Sequence, residues 1–513
     1  MEEAQLYFYL PLLFTSLLFL LFFFYLLRPS SPISKTPSPL TYPIIGNTIA
    51  FLQNRHRFYD WATDLLSTSP SNTILIRGPL LTRRGIATAD PANVAHLLKF
   101  NFPNYIKGPR FHVPLSDLLG AGIFVADGDL WSSQRKIASY EFNTRSLKSF
   151  VADTVRSEIT TRLLPVLAAA ADASSAVDLQ EILERFAFDN ICNLAFGDDP
   201  RCLDPDSDPN TRTLPPFIAA FDDAVEICVG RILAPMPLIW KIQRFFNIGP
   251  EKRLKRMVKI IDDYAMRIID GKIKNRDRGD LDLLSRFMFG SDSHDPKLDP
   301  KPDPKFLRDI VISFVLAGKD STSTALTWFF WLLSENPRCE RRIYAEMSEA
   351  APETGVPTFE ELKEMNYLQA AISESLRLYP PVPIDSRVAV KEDVLPDGTV
   401  VGAGWFADYC AYAMGRMEKL WGKDCREFKP ERWLDEGGVF VGVDQFRFPV
   451  FHAGPRVCLG REMAYLQMKA VAAAVIREFE MVVVGRERPE YMVSLTLKMK
   501  GGLPVRLRRR TSR

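Results

Sequence analysis

The stretch "FHAGPRVCLGREMAYLQMK", Phe451 to Lys469, wedges Cys458 between Gly454 and Gly460, beside Arg456 and just ahead of a run that reads as a helix. A cysteine binds a metal as its thiolate, and backbone N–H groups or the positive end of a helix stabilise that negative charge. Gly454 and Gly460 permit tight turns close to a flat cofactor, and the helix starting near Arg461 presents its N-terminus to Cys458. A structural cysteine buried in a loop is the commoner fate of any one cysteine, and this spacing taken alone does not separate the two readings.

Phe451, Gly454, Arg456, Cys458 and Gly460 together match the signature FxxGxRxCxG, and with it the chain resembles the cytochrome P450 superfamily of haem-thiolate monooxygenases. The resemblance implies that Cys458 is the axial ligand of a haem b iron and donates electron density to it, which favours O–O cleavage. It implies that Arg456 pairs with a haem propionate and that Phe451 shields the sulfur. Upstream, "AISESLRLYPP" sets Glu374 and Arg377 three apart on one helix face, and Arg432 of "FKPERW" stands in order to complete the superfamily's Glu–Arg–Arg network, a structural buttress.

A third element, "DIVISFVLAGKDSTSTALTWFFWLLSENP", is a long apolar helix interrupted by Ala317, Gly318, Lys319, Asp320, Ser321 and Thr322. Taken by itself, the cluster also reads as a solvated turn or a polar helix contact. In the resembled family this helix crosses the haem face, and an acid–alcohol pair on it delivers protons; Asp320 and Ser321 occupy those places. Serine replaces the usual threonine there, and Thr322 follows about 100° further round the helix, so the two hydroxyls are expected to point apart. In "DGDLWSSQRKIASYEF", Trp131 and Arg135 fall four apart on one face and match the family's propionate-binding positions; Arg387 is a third candidate. Lys136, Lys423, Lys429, Arg461 and Lys469 are expected to gather on the cysteine side, where an acidic NADPH-cytochrome P450 reductase would dock. Scattered solubilising charge explains those five almost as well.

The elements that must position these residues read as mainly helical. Short strands are expected in "NTILIRGP" and "TRRGIATA", and small sheets in "DVLPDGTVVGAG" and "MVSLTLKMKGGLPVRL". Two Pro- and Asp-rich stretches from Asp198 and Gly290 read as exposed loops, and no internal repeat is present. The resemblance implies the P450 fold, a triangular helical prism with small β-sheets, over residues 46–513. Ahead of it, Leu6 to Leu27 is uncharged over the ~20 residues that span a bilayer as a helix. An N-terminal anchor (1–28) and a Pro-rich hinge (29–45) are therefore expected. A cleaved signal peptide is the rival reading, opposed by Glu2 and Glu3 ahead of the apolar run. Arg28 and Lys35 behind it place the catalytic part in the cytosol on a single-pass anchor; the endoplasmic reticulum membrane is what the resemblance implies.

Composition agrees with an enzyme of this kind. At 513 residues, 47% hydrophobic and 25% charged, the chain has the balance of a globular protein, and its net charge of +2 gives no sign of a nucleic-acid binder. Seven cysteines without a CxxC pair point away from a disulfide scaffold or zinc ribbon. "LERFAFDNICNLAFG", "AYAMGRM" and the cysteine stretch itself resemble the plant microsomal enzymes of family 94. That implies an NADPH- and O2-dependent monooxygenase, monomeric as a catalytic unit, that hydroxylates the terminal carbon of a lipid and in some cases continues to aldehyde or acid. Fatty acids lead the expected substrates, with sterol side chains and jasmonoyl-amino acid conjugates as alternatives. A haem-thiolate hydroperoxide isomerase and a non-catalytic haem sensor are the readings from other classes. Expected lining residues are Phe111, Val113, Phe314, Val382, Ile384 and Leu495, with Lys107 or Arg110 as partners for an acidic head group.

Overall fold

The structure, a computed structural model, describes residues 36–79, 84–140, 142, 154–204, 216–274, 282–289, 303–351, 355–485 and 488–510. The expected anchor and most of both Asp- and Pro-rich loops lie outside these residues. Among the described residues no helix is long and apolar enough to cross a membrane.

Helices dominate, as the sequence predicts, and among the described residues three small sheets flank them. The largest runs β1 (Thr73–Arg77), β2 (Arg84–Thr88), β8 (Phe406–Tyr409), β5 (Asp385–Ala389) and β3 (Tyr105–Ile106) across its width. Only the β2–β8 pair is parallel, with Ile86 opposite Ala407. The second sheet sets β10 (Pro504–Arg509) between β4 (Val177–Asp178) and β9 (Phe479–Val483), and the third pairs β6 (Asp393–Val394) with β7 (Val400–Val401). All four expected strand regions thus carry strand. In the last of them only the closing "PVRL" is a continuous ladder strand, and Tyr491 and Met499 meet in a single bridge.

The centre is one long helical rod. Pro304–Val315 passes through a π-helical turn, Leu316–Asp320, into Ser321–Glu335. Most of its side chains are buried, which explains a largely apolar sequence. A Cβ added at Gly318 would stand 2.4 Å from the Ile191 side chain, so glycine is what lets the Leu179–Phe196 helix press against the turn. Trp328 on this rod stacks at 4.0 Å on Tyr379, at the end of the Asn366–Leu378 helix. That helix and Arg461–Glu478 pack against the rod from the cysteine side.

Candidate active site

The cysteine loop is built by local backbone chemistry. Short turns at Pro449–Phe451 and Gly454–Arg456 bracket it, and Cys458 N donates to Phe451 O at 2.8 Å. Gly454 has φ +64°, and a Cβ there would stand 2.0 Å from the carbonyl oxygen of Leu98, so no other residue fits. Phe451 packs its ring at 5.3 Å from Tyr465, on the helix that follows the loop. That helix starts at Arg461, directly after Gly460. Cys458 is open to an internal cavity and set deep in the molecule. Burial pushes its thiol up, while the Gly460 N–H and the charges of Arg135 and Arg461 pull it down toward the thiolate.

Behind the loop stands the network expected from the sequence. Arg377 Nε and Arg432 Nε donate to the Glu374 carboxylate at 2.7 and 2.8 Å, and Trp433 Nε1 adds a third bond at 2.9 Å. Glu374 and Arg377 are wholly buried, and Arg377 also donates to the carbonyls of Gly415 and Cys425. Fully satisfied charges of this kind hold geometry.

The cavity, about 320 Å³, brings Trp131, Arg135, Ser321, Thr322, Arg387, Phe451, Arg456, Cys458 and Gly460 together. Along one edge its lining is cationic. Arg135 donates to Val457 O at 2.6 Å; Arg456 lies 4.4 Å over the Trp131 ring and donates to Asp127 Oδ1 at 2.8 Å. Arg387 and Lys107 both bond Asp385, at 2.7 and 2.6 Å. Burial, with Arg387 adding its charge, lowers Lys107 to about 7 and Arg456 to about 10. Four cations therefore share two carboxylates, and the buried Nε atoms of Arg387 and Arg456 have no hydrogen-bond partner among the described residues. That donor set asks for anionic oxygens along one edge of whatever covers Cys458. A planar macrocycle carrying two carboxylates on one edge and an axial thiolate fits it.

His452, Asp127 and Asp385 belong to this edge and are absent from the sequence-predicted set. His452 hydrogen-bonds Tyr409 through Nδ1 at 2.6 Å, and burial holds it down at about 4, so it is neutral at neutral pH. His452 lies inside the cysteine signature and Asp127 inside the "DGDLW" run, so their neighbours carried a signal. Asp385 gave none until β5 set it beside Arg387.

The structure shows where the other expected residues stand, and it removes some of them from the site. Ser321 and Thr322 both line the Cys458 cavity, from adjoining positions round the regular helix that follows the π-turn. Ser321 Oγ donates to Ala317 O at 2.6 Å, which parks its proton on the backbone and turns its lone pairs outward as an acceptor. Asp320 does not line this cavity; it faces a second one, paired with Lys319 at 2.5 Å. Of the expected lining, Phe111, Phe314, Val382 and Leu495 are in place, whereas Val113 is exposed and Ile384 packs against the core. Arg110 is held by Ser386 and Asp408 and stacks on Phe406. Lys469 is buried and donates to Leu362 O, so it is no part of a surface, while Lys136, Lys423, Lys429 and Arg461 are exposed.

The model of the family "Cytochrome P450" matches residues 37–502. Cytochrome P450 CYP94D108 of Paris polyphylla is 48% identical over 472 residues, 91% of each chain. Cytochrome P450 94A1 of Vicia sativa is 46% identical over 485 residues, 92% of this chain and 91% of its own. Cytochrome P450 94B1 of Arabidopsis thaliana is 45% identical over 511 residues, 97% of each. A cysteine presented to a cavity with a cationic edge and a match across most of the chain lead to one conclusion: the chain belongs to the cytochrome P450 family, within it to plant family 94, and is a haem-thiolate monooxygenase.

Proposed function

We propose that the protein hydroxylates the terminal carbon of a long-chain lipid, a fatty acid before a sterol side chain or a jasmonoyl conjugate, using O2 and NADPH electrons passed on by a reductase. The observation that carries this is the composition of the cavity. Away from its cationic edge the wall is hydrocarbon, with Phe111, Leu115, Phe314, Val382 and Leu495. Both cations expected to meet a carboxylate head group are otherwise engaged: Lys107 bonds Asp385 and caps the Phe111 ring at 4.3 Å, and Arg110 is tied to Asp408. A chain entering this wall is therefore held by its apolar tail, with its polar end outside. Attack on a strong primary C–H bond in the presence of weaker secondary ones is a matter of which carbon the wall places over Cys458.

Haem, when bound, supplies the activation of O2; one oxygen atom goes to the alcohol and the other to water, with two electrons and two protons consumed. The chain's own residues do the rest. Cys458 supplies the thiolate. Trp131, Arg135, Arg387 and Arg456 hold the anionic edge. Ser321 offers lone pairs that fix a water, Thr322 stands beside it, and Asp320 is the acid that feeds that point with protons. The exposed Lys136, Lys423, Lys429 and Arg461 suit an acidic electron donor.

The assay is product analysis on a lipid panel with membranes holding the full chain, with and without NADPH and reductase. The panel runs from dodecanoic to octadecenoic acid and includes a sterol and jasmonoyl-isoleucine. Terminal alcohol from a fatty acid, dependent on both additions, is the expected result, and aldehyde or acid would show continued oxidation. Product without NADPH would mean an isomerase, and haem binding without any turnover a sensor.

The same reading places the enzyme at the endoplasmic reticulum membrane with its catalytic part cytosolic. The helix Pro237–Phe245 supports it: Leu238, Ile239, Ile242 and Phe245 are exposed, Phe245 by 83%, and Phe246 and Ile248 extend the patch. An amphipathic helix with such a face suits a lipid interface.

A further inference from the structure

Asp320 stands between two cavities. Its neighbour Ser321 lines the Cys458 cavity, while its own carboxylate faces a second cavity of about 910 Å³, together with Glu184, Asp222 and Lys498. Two ammonium groups hold it there. Lys319 Nζ is 2.5 Å from Asp320 Oδ1 and 2.8 Å from Asp222 Oδ1. Lys498 Nζ is 3.5 Å from Asp320 Oδ1, 3.0 Å from Glu184 and 3.1 Å from Asp222. Three carboxylates thus compete for two cations. Burial alone would push Asp320 up, but Lys319 and Lys498 outweigh it and hold the acid down, so Asp320 resists taking a proton while both are in place.

Lys498 belongs to a segment that also touches the other cavity. Leu495 and Thr496 line the Cys458 cavity, and two residues later Lys498 lines the second. The segment has little slack. Leu497 N donates to Pro381 O at 2.9 Å and Leu497 O accepts from Trp328 Nε1 at 2.6 Å. Lys498 N closes a tight turn onto Thr496 O at 2.9 Å, and Met499 N donates to Gln180 Oε1 at 2.9 Å. Because Lys498 N is bonded directly to Thr496 O, a displacement of Thr496 is carried through that tight turn to the lysine.

We infer that Lys498 is a positioning residue that ties occupancy of the Cys458 cavity to the release of Asp320 for proton transfer. A lipid pressing on Leu495 and Thr496 shifts the Lys498 ammonium from Asp320 toward Glu184 and Asp222. Asp320 then takes a proton from water in the second cavity, passes it to the Ser321 side and returns to its ionised, paired form. No electron moves in this step. The inference rests on the reading above that Asp320 supplies protons.

The test uses the full chain with reductase in membranes and dodecanoic acid as probe, with the thiolate-specific spectrum of the reduced, CO-bound haem checking each variant's fold. Coupling between sites is reciprocal, so a lipid that must move Lys498 binds less tightly for doing so. Lys498→Gln should bind dodecanoic acid about fivefold tighter, the low end of such couplings, and Lys498→Arg should restore the original affinity. Glu184→Gln removes a competitor for Lys498 and should shift affinity the opposite way, which simple structural damage would not do. Peroxide formed without lipid should rise in Lys498→Gln. Unchanged affinity and unchanged peroxide in Lys498→Gln, with Asp320→Asn still lowering product per NADPH, would overturn the inference and leave the acid's role standing. If Asp320→Asn itself left that ratio unchanged, the proton-supply reading would fall, and this one with it.

Discussion

Cys458 differs from the six other cysteines, which are all buried; it is exposed, on the wall of the cavity. Burial pushes Cys192, Cys202, Cys228 and Cys410 up and keeps them thiols. Cys458 has opposing help from the Gly460 N–H and Arg135. Cys458→Ala should therefore abolish the thiolate-specific spectrum of the reduced, CO-bound haem and all turnover, because no neighbour can replace a thiolate. An unchanged spectrum would refute the ligand assignment. The hydroxyl pair separates by its bonds. Ser321 has its proton committed to Ala317 O and acts as an acceptor, so Ser321→Ala should lower product per NADPH consumed by up to ~10²-fold, the modest end of what a positioned proton relay contributes. Ser321→Thr keeps the oxygen and should be tolerated. Since the two side chains line one cavity, a collapse in Thr322→Ala with little change in Ser321→Ala would assign the working hydroxyl to Thr322.

At the scale of elements, the Asn366–Leu378 helix and the Pro430–Trp433 turn are joined mainly through one carboxylate. Glu374 accepts from Arg377, Arg432, Trp433 and the Lys429 backbone N–H. Removing it strands Arg377, which is wholly buried, and breaking a buried pair from one side costs about 3–5 kcal/mol. Glu374→Ala should accordingly fail to accumulate as a haem-binding protein, whereas Lys469→Met, although on the helix that follows Cys458, should leave electron transfer from the reductase unchanged because that lysine is buried. Reduction rates measured by stopped flow check the second, and haem content per polypeptide the first. The π-turn is the other element-scale device. It re-phases Ser321–Glu335 relative to Pro304–Val315, and at its end Asp320 faces the second cavity while Ser321 lines the first.

For the molecule as a whole, the proposed attachment to a membrane would draw on two segments, the apolar run Leu6 to Leu27 in the sequence and the exposed face of Pro237–Phe245. Deleting residues 1–27 should release only part of the protein from membranes. Adding Leu238→Ser, Ile242→Ser and Phe245→Ser should release most of the rest with the haem spectrum intact, because those side chains are exposed in the fold. Sedimentation with vesicles of neutral lipid composition measures both. Protection of the catalytic part from added protease in sealed microsomes would reverse the proposed cytosolic orientation.

What could be read from the sequence had short range. The cysteine signature, the Trp131–Arg135 spacing, the Glu374–Arg377 pair and the strands β1 and β2 are set by neighbours within one turn or one ladder, where residue type and periodicity suffice. The tertiary structure alone decided what depends on chains meeting from afar. Asp385 and Lys107 join across 278 positions, and Lys498 reaches Asp320 from a segment near the C-terminus. Helical phase belongs to the same class: the π-turn Leu316–Asp320, at which Gly318 packs against Ile191, shifts the helix after it relative to the helix before it, and no pattern of residue types announces that shift. Burial decided the lysines in the same way. Lys423 and Lys469 look alike in sequence, but one ends in solvent and the other donates to Leu362 O, because a side chain's surroundings are fixed by what packs over it and not by its type.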